Sequence, residues 1–260
     1  MRIPIYQVDA FTSRVFAGNP AAICPLEEWL PDEQMQAIAA ENNLAETAFF
    51  VPRGDGFDLR WFTPMVEVDL CGHATLASAF VLFEKLAYTG ESIAFSTKSG
   101  MLTVVRRADG MLEMDFPSRP PAPCSPDPEL VPGLDLVPQL VLGNRDYLCV
   151  FKNEEDVRAL KPDLIRLRNI DRFAVIATAR GSDCDFVSRF FAPGQGVDED
   201  PVTGSAHCTL IPYWSEQLGK KELFARQLSK RGGEIYCEDR GLRVGIAGNA
   251  VLFLEGTIDV

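Results

Sequence analysis

The sequence contains only two histidines, His73 and His207, and none of its seven cysteines forms a C-x-x-C pair. A structural zinc site needs several cysteine or histidine ligands at short spacing, so we expect no metal site. The cysteines are scattered along the chain and odd in number. We therefore expect free, mostly buried thiols in a reducing compartment.

Long hydrophobic runs and basic clusters are also missing. No apolar run approaches the length of a membrane-spanning helix, about 18 residues, and residues 1–11 lack the apolar core of a signal peptide. The formal net charge is −12, and no run of lysine and arginine exceeds two residues. Nucleic acids and anionic membranes bind basic surfaces. We expect a cytoplasmic protein without nucleic-acid or membrane partners.

The composition is that of an ordinary globular protein, with 47% hydrophobic and 24% charged residues in a chain of 260. This length suits one large domain or two of ordinary size. Residues 117–133 hold seven prolines and show no hydrophobic periodicity, which is typical of a stiff connector. We therefore predict lobes at residues 1–117 and 118–260, with the final strands free to cross back to the first lobe.

Each predicted lobe mixes strands and helices. The helical stretches are residues 31–43, with Met35, Ile38 and Ala39 on one face, and residues 72–88, 153–167 and 204–218. Residues 72–88 are apolar on nearly all sides, which predicts a buried helix. The predicted strands are residues 5–11, 21–26, 47–52, 58–64, 93–97, 102–107, 112–117, 173–180, 185–193, 242–248 and 250–258.

An internal repeat links the two lobes. Residues 60–86 and 189–218 both show a strand, Phe-x-Pro, a loop, Val-Asp, Gly-x-Ala and an apolar helix. With a three-residue insertion after Pro193, residues 71–74 align with residues 203–206. Short loop-helix patterns can also coincide by chance. The length of the match favours two similar α/β lobes, each with a buried central helix, facing one another across a cleft.

The starts of the two central helices are candidate anion-binding positions. A helix N-terminus carries unpaired N–H groups and a partial positive charge. Gly72 and Gly204 leave these amides accessible, so the two ends can hold a carboxylate or an enolate-like charge. In the alternative interpretation, Ser205 and Asp200 only cap a helix and Gly72 marks a tight turn.

Three residues are candidates for proton transfer. His73 and Asp200 lie at the starts of the first and second central helices. Glu46 precedes an apolar strand, and burial there would raise its pKa towards neutrality. The alternatives are a surface carboxylate for Glu46 and a hydrogen-bonded helix-end residue for His73. Cys71 could be a thiol base, although a buried, inert cysteine is commoner.

Four ordered motifs resemble one known family. They are YQVDAFTSRVFAGNPAAIC, NLAETAFF, WFTPMVEVDLCGHATLAS and GVDEDPVTGSAH. Together they resemble the phenazine-biosynthesis PhzF-like isomerases, relatives of the diaminopimelate epimerases, over essentially the whole chain. The resemblance implies an α/β (α+β) fold of two lobes, each a β-barrel-like sheet around a central helix, with the active site between the lobes. It also implies a homodimer that needs no metal or other cofactor.

The family's functional residues can be placed on this sequence. The resemblance makes Glu46 the main acid/base and gives catalytic roles to His73 and Asp200. It assigns substrate binding to backbone and side-chain groups at the two helix starts, namely Gly72, Gly204 and Ser205.

The sequence departs from the family pattern at two positions. A serine often precedes the glutamate of this family, whereas this chain has Ala45. The related epimerases use two cysteines, whereas Cys71 here is matched by Thr203. A threonine hydroxyl is too weak an acid to replace a thiol in a two-base racemisation.

Three functional hypotheses follow. The favoured one is a cofactor-independent isomerase in which Glu46 moves a proton between carbons of a small carboxylate-bearing metabolite. The second is an amino-acid epimerase or racemase that uses Cys71. The third is a small-molecule-binding or interaction protein on the same fold, since a fold alone does not establish chemistry.

Overall fold

The computed structural model describes all 260 residues, Met1–Val260. The strands are β1 Arg2–Ala10, β2 Asn19–Pro25, β3 Glu46–Arg53, β4 Gly56–Phe62, β5 Glu67–Val68, β6 Ser92–Thr97, β7 Gly100–Arg106, β8 Leu112–Pro117, β9 Ala122–Pro123, β10 Leu140–Gly143, β11 Tyr147–Val150, β12 Val175–Arg180, β13 Phe186–Phe191, β14 Glu222–Gln227, β15 Gly233–Asp239, β16 Arg243–Gly248 and β17 Ala250–Asp259. The α-helices are α1 Asp32–Asn42, α2 Gly72–Glu84, α3 Leu130–Leu134, α4 Glu154–Ala159, α5 Leu164–Leu167 and α6 Gly204–Leu218. None of these helices is both long and apolar enough to cross a bilayer.

The chain divides into two compact units. The first comprises Met1–Asp115 and Ala247–Val260, and the second comprises Phe116–Ile246. The C-terminal strand β17 therefore belongs to the first unit, where it pairs with β1 in antiparallel orientation.

The sheet of the first unit follows the order β17-β1-β2-β3-β4-β6-β7-β8, with β5 beside β4. The pairs β2/β3 and β4/β6 are parallel, and the others are antiparallel. Parallel neighbours require crossover connections, which α1 and α2 provide. Helix α2 packs against β17, β1, β2, β3 and β7, so the sheet curves around this helix.

The sequence of α2 matches its central position. All of its residues from Gly72 to Phe83 are buried except Phe80, as expected for a helix that is apolar on all sides. The helix ends at Glu84, earlier than the predicted end at residue 88. Ala87 takes a left-handed conformation with φ 53°, which an α-helix cannot contain.

The sheet of the second unit repeats this topology. Its order is β9-β10-β11-β12-β13-β14-β15, and the pairs β11/β12 and β13/β14 are parallel. Helices α4 and α5 connect the first parallel pair, and α6 connects the second. The predicted helix over residues 153–167 is wrong as a single element. The stretch forms two short helices. Pro162 cannot continue α4 because it has no backbone N–H, and it also disfavours helical backbone angles at Lys161.

Helix α6 is the counterpart of α2. Trp214 stacks on Phe186 of β13 with ring centroids 5.8 Å apart, and its indole N–H donates to Thr178 Oγ1 of β12 at 2.9 Å. Pro212 lies inside the helix and has no N–H for the carbonyl four residues earlier. The backbone N–H of Arg119 donates to that carbonyl, on Cys208, at 2.8 Å, so the proline leaves no orphaned acceptor there.

An arginine–glutamate pair marks the repeat in both units. Arg60 of β4 donates to both carboxylate oxygens of Glu67, at 2.7 and 2.9 Å. Arg189 of β13 makes the same bidentate contact with Glu199, at 2.7 and 3.0 Å. Each pair ties the long strand before the central helix to the segment that leads into the helix, which is β5 in the first unit and a loop in the second. The predicted repeat is therefore confirmed, and the fold is a mixed α/β, sheet-dominated one.

The proline-rich stretch at residues 117–133 is not a simple connector. Its residues Ala122–Pro123 form β9, which pairs with β10. Leu130 is fully buried in a core cluster of the second unit together with Tyr147 and Phe191. Prolines fix the backbone without excluding neighbouring leucines from a core, so the prediction of a stiff connector is wrong for this part of the stretch.

Candidate active site

Three polar residues of the first unit converge because of where their elements begin. Asn19 is the first residue of β2, Glu46 is the first residue of β3, and His73 is the second residue of α2. Strands β2 and β3 are parallel, with Ala21 opposite Glu46. The starts of parallel neighbours lie at the same edge of a sheet, so Asn19 and Glu46 are close in space although far apart in sequence.

Gly18 sets the entry of Asn19 into the core. Its backbone has φ +66°, and a Cβ at this position would lie 2.2 Å from the carbonyl oxygen of Ala10. Only glycine fits this close approach at a positive φ. The turn delivers Asn19 to a fully buried position, with 0% of its surface exposed.

His73 is the centre of this cluster. Its Nε2 lies 3.1 Å from Oε2 of Glu46. Its Nδ1 lies 3.1 Å from Nδ2 of Asn19 and 3.5 Å from Sγ of Cys71. The His73 side chain is only 6% exposed and that of Glu46 only 16%. The structure therefore brings together two of the predicted catalytic residues and leaves an edge of Glu46 open to solvent.

The protonation states of the cluster follow from its burial and charges. Burial lowers the pKa of His73, but its polar contacts with Cys71 and Glu46 outweigh this and hold the pKa well above its ordinary value. Burial, followed by the charge of Glu46, raises the pKa of Cys71 to about 11. Cys71 is therefore a neutral thiol at neutral pH, and the carboxylate of Glu46 is the charge that stabilises the protonated imidazole.

The start of α2 also offers backbone donors. Its N-cap residue is Cys71, whose side chain makes no capping hydrogen bond, and its first turn has no acidic residue. Gly72, the first helical residue, is buried. The partial positive charge of the helix end is thus not neutralised by the groups that commonly do so.

A second set of predicted residues surrounds the start of α6 in the second unit. Thr203, its N-cap, donates from Oγ1 to Oδ2 of Asp200 at 2.5 Å. Gln227 is buried and accepts the N–H of Thr203 at 2.8 Å, while its own amide donates to the carbonyl of Asp200 at 2.7 Å. Gln227 therefore holds the loop that precedes Gly204 in one conformation.

An arginine lies beside the predicted substrate-binding serine. Arg145 donates to Oγ of Ser205 at 3.3 Å and makes two bonds, of 2.9 and 2.8 Å, to the buried carboxylate of Asp146. Its side chain is 29% exposed. Asp146 orients the guanidinium and uses only part of its five donors.

His207 differs from His73 in every contact. It is fully buried, its ring packs 5.9 Å from that of Phe186, and Nδ1 donates to the carbonyl of Thr203 at 2.8 Å. Burial lowers its pKa to about 4. No carboxylate stabilises its charged form, so His207 is a neutral structural residue at neutral pH.

The sequence led us to expect one site formed by Glu46, His73, Asp200, Gly72, Gly204 and Ser205. The structure brings Glu46 to His73 at the start of α2, where Gly72 also lies, and places Asp200 beside the N-cap of α6, which Gly204 and Ser205 follow. Sequence reasoning missed Asn19, Gln227 and Arg145. A signal existed for Gln227, because the alternation of β14 puts it on the same buried face as Leu223 and Ala225.

Comparison with known proteins agrees with this architecture. Residues 8–256 match the family model PhzC-PhzF, described as phenazine biosynthesis-like protein. An uncharacterized isomerase from Pseudomonas aeruginosa is 52% identical over 258 residues, which cover 99% of each chain. The crystal structure of a PhzF-family phenazine biosynthesis protein from Enterococcus faecalis is 46% identical, with a TM-score of 0.97 over 100% of both chains.

The fold extends to more distant proteins. The structure of a predicted epimerase from Pseudomonas aeruginosa covers 98% of this chain and 99% of its own, with a TM-score of 0.75 at 19% identity. At that identity the likeness concerns the fold alone. The match of the family model over nearly the whole chain, together with the closely similar relatives, shows that this protein belongs to the phenazine biosynthesis-like PhzC-PhzF family and is an isomerase of that family.

Proposed function

We propose that this isomerase moves a proton between two carbons of a small carboxylate-bearing metabolite, with Glu46 as the general acid/base. The observation that carries the proposal is the contact of 3.1 Å between Glu46 Oε2 and His73 Nε2 at the start of α2. A glutamate there is oriented by an imidazole yet remains partly open to solvent, as a group that must reach a substrate has to be.

The proposed step is balanced without an external reagent. The carboxylate of Glu46 takes a proton from a carbon adjacent to a carbonyl or unsaturated group. The electron pair of the broken C–H bond moves into that group and forms an enolate-like intermediate. Glu46 then returns the same proton to a different carbon, so that substrate and product are isomers and the enzyme is regenerated.

His73 is proposed to orient Glu46 and to stabilise the negative charge that develops on the substrate in the enolate-like intermediate. Its raised pKa keeps a positive charge beside the carboxylate. Both ring nitrogens of the charged imidazole are donors, so Nδ1–H donates to the amide oxygen of Asn19, which a rotation of the amide by 180° brings to the position 3.1 Å away. An interaction with a preorganised charge costs no reorganisation during the reaction. The backbone amides at Gly72 are proposed to bind a carboxylate or enolate oxygen.

The start of α6 is proposed to bind substrate. Gly204 offers amides without a shielding side chain, and Ser205 adds a hydroxyl beside the guanidinium of Arg145. Asp200 is proposed to take part in proton relay or substrate positioning. Its hydrogen bond to Thr203, at 2.5 Å, fixes one carboxylate oxygen and its direction.

The alternative reaction, epimerisation by Cys71, has less support. A base must be deprotonated to accept a proton, and a thiol with a pKa of about 11 is almost fully protonated at neutral pH. Thr203, the counterpart of Cys71 in the repeat, is an alcohol that cannot serve as the second thiol.

The expectations about partners remain proposals. The resemblance to the family leads us to propose a homodimer located in the cytoplasm. The net charge of −12 supports the expectation that neither nucleic acids nor anionic membranes are partners.

The experiment is a screen in D₂O. Small carboxylic acids, amino acids and aryl analogues are incubated with the wild type and with Glu46→Gln, and the products are read by NMR and mass spectrometry. We expect at least one compound to change isomer or gain deuterium with the wild type. With Glu46→Gln the rate should fall at least about 10²–10⁴-fold, the contribution typical of a positioned acid/base.

The matched control is Glu41→Gln, which removes an exposed carboxylate five residues earlier and should retain the wild-type rate. Full turnover by Glu46→Gln of a compound that the wild type isomerises would refute the assignment of Glu46. Inversion of a stereocentre that depends on Cys71 and not on Glu46 would favour the epimerase reaction.

A further inference from the structure

We infer that Glu46, Cys71 and His73 form a binding site for a thiophilic divalent cation of the Zn²⁺ type, and that occupation of this site switches the enzyme off. Binding of the ion follows from the geometry of the three side chains alone. The inhibition rests in addition on the proposed function, because it requires Glu46 to be the acid/base.

The distances fit a metal site with only small movements. One ligand atom from each residue can be chosen so that all three lie within 4.8 Å of one another. Nε2 of His73 lies 3.1 Å from Glu46 Oε2 and 3.9 Å from Cys71 Sγ. Around a tetrahedral zinc ion, with Zn–S of about 2.3 Å and Zn–N or Zn–O of about 2.0–2.1 Å, ligand atoms are separated by roughly 3.3–3.6 Å.

The ligand chemistry selects the ion. One sulfur, one imidazole nitrogen and one carboxylate oxygen suit Zn²⁺ and Co²⁺, whereas Mg²⁺ and Ca²⁺ prefer oxygen ligands. Three protein ligands leave the fourth tetrahedral position to water or to a small ligand. The ion can enter from the side of Glu46, the most exposed of the three side chains.

Asn19 supplies the outer contact that such a site needs. A metal-bound histidine usually donates its other ring N–H to an oxygen, which fixes the ring. The Asn19 amide lies 3.1 Å from Nδ1 of His73, and the oxygen and nitrogen of an asparagine amide exchange places by a rotation of 180°. The same residue can therefore orient His73 in the free and in the metal-bound enzyme.

Occupation of the site is incompatible with proton transfer by Glu46. The ion replaces the thiol proton of Cys71 and the Nε2 proton of His73, and both protons pass to the solvent. The carboxylate oxygen that faces His73 then donates its electron pair to the metal. The charge of the ion lowers the proton affinity of the whole carboxylate, so that Glu46 becomes too weak a base to take a proton from a substrate carbon.

The test uses the full-length enzyme after treatment with a chelator. Co²⁺ is titrated into the protein and followed by absorption. We expect one equivalent to produce the intense thiolate-to-cobalt charge-transfer band and the visible bands of a tetrahedral ion, and Zn²⁺ should displace it. Cys71→Ser should lose the charge-transfer band, and His73→Gln should weaken Co²⁺ binding at least about tenfold, since a lost ligand costs more than the 10–100-fold of a lost outer contact.

The matched control is Cys208→Ser, which removes a buried cysteine of α6 in the second unit and should leave the Co²⁺ spectrum unchanged. Circular dichroism of each variant verifies the fold. No charge-transfer band in the wild type, or an unchanged band in Cys71→Ser, would overturn the site.

Inhibition is measured separately, with a compound identified by the D₂O screen. Stoichiometric Zn²⁺ should abolish isomerisation of that compound by the wild type, and excess chelator should restore it. Tight Zn²⁺ binding with full turnover would overturn the inhibition while leaving the binding site intact. If Glu46→Gln retains turnover, the proposed function fails, whereas the Co²⁺ spectrum still decides on the metal site.

Discussion

The two central helices begin in the same way and present different chemistry. At the start of α2, the partly exposed Glu46 lies 3.1 Å from the buried His73, and Cys71 occupies the N-cap. At the start of α6, Thr203 occupies the N-cap and is held by hydrogen bonds to Asp200 and Gln227. Both helices begin at an N-cap residue with extended backbone and no side-chain capping bond, so the two ends differ chiefly in the side chains that surround them.

We propose that the two ends have separate tasks. In this proposal the α2 end supplies the groups whose protonation changes during the reaction, and the α6 end supplies groups that fix backbone amides and a guanidinium in place. We therefore expect substitutions at the α2 end to lower kcat and substitutions at the α6 end to raise KM or reduce stability.

Removal of the imidazole at the α2 end should have the largest effect. His73→Gln keeps a polar side chain but loses the charge beside Glu46, so kcat should fall about 10²–10⁴-fold, the range of positioned acid/base groups. Steady-state kinetics on a compound from the D₂O screen measures it. A change confined to KM would contradict the division of tasks.

His207, whose pKa is lowered and not raised as that of His73 is, should make the protein less stable in acid. His207 has a pKa of about 4 when folded and an ordinary value near 6.5 when unfolded. Below pH 6.5 the unfolded state binds a proton at His207 that the folded state does not. The contribution of His207 to the free energy of unfolding is therefore complete above this pH and is lost as the pH falls towards 4. The loss amounts to about 3 kcal/mol at about 1.4 kcal/mol per pH unit.

The measurement is urea unfolding between pH 7 and pH 4. Because carboxylates also titrate in this range, the relevant quantity is the difference between the wild type and His207→Gln, whose side chain has no titratable group. Parallel pH dependences for the two proteins would contradict the structural role of His207.

Loss of the Gln227 hydrogen bonds at the α6 end should lower the free energy of unfolding and have little effect on kcat. Gln227→Leu leaves the N–H of Thr203 and the carbonyl of Asp200 without this partner, which should cost about 2–4 kcal/mol of unfolding free energy and raise KM. Gln217→Leu, at an exposed position of α6, is the control. An unaltered KM with a strongly reduced kcat would show that the α6 end takes part in chemistry.

Substitution of the α2 N-cap should have the smallest effect. Cys71→Ser retains a small polar side chain, and Cys71 is a neutral thiol at neutral pH because of its raised pKa. We expect kcat to fall by less than about tenfold, well below the loss typical of a general base. A loss as large as that of Glu46→Gln would favour the epimerase reaction.

The local periodicity of the sequence was sufficient to predict the buried face of α1 and the bounds of α6. The predicted buried face of α1, with Met35, Ile38 and Ala39, is the face that the structure buries. The predicted start and end of α6 are those observed. The internal repeat also identified Cys71 and Thr203 as equivalent, and both are N-caps.

Other features depend on contacts that no local pattern contains. The contact between Asn19 and His73 joins residues 54 positions apart and exists because a glycine turn and a parallel strand pair bring them to one edge. The burial of Leu130 depends on the sheet it packs against, and not on the surrounding prolines. Pro162, by contrast, was a readable signal for the break between α4 and α5.

The most direct test of the central claim separates binding from turnover in Glu46→Gln. With the first compound identified by the D₂O screen, calorimetry measures Kd and NMR measures the rate of isomerisation. If Glu46 moves the proton while other groups bind the substrate, Kd should stay within about threefold of the wild type, while the rate falls at least about 10²-fold. A Glu46→Gln enzyme that binds and isomerises the compound at the wild-type rate would contradict the account.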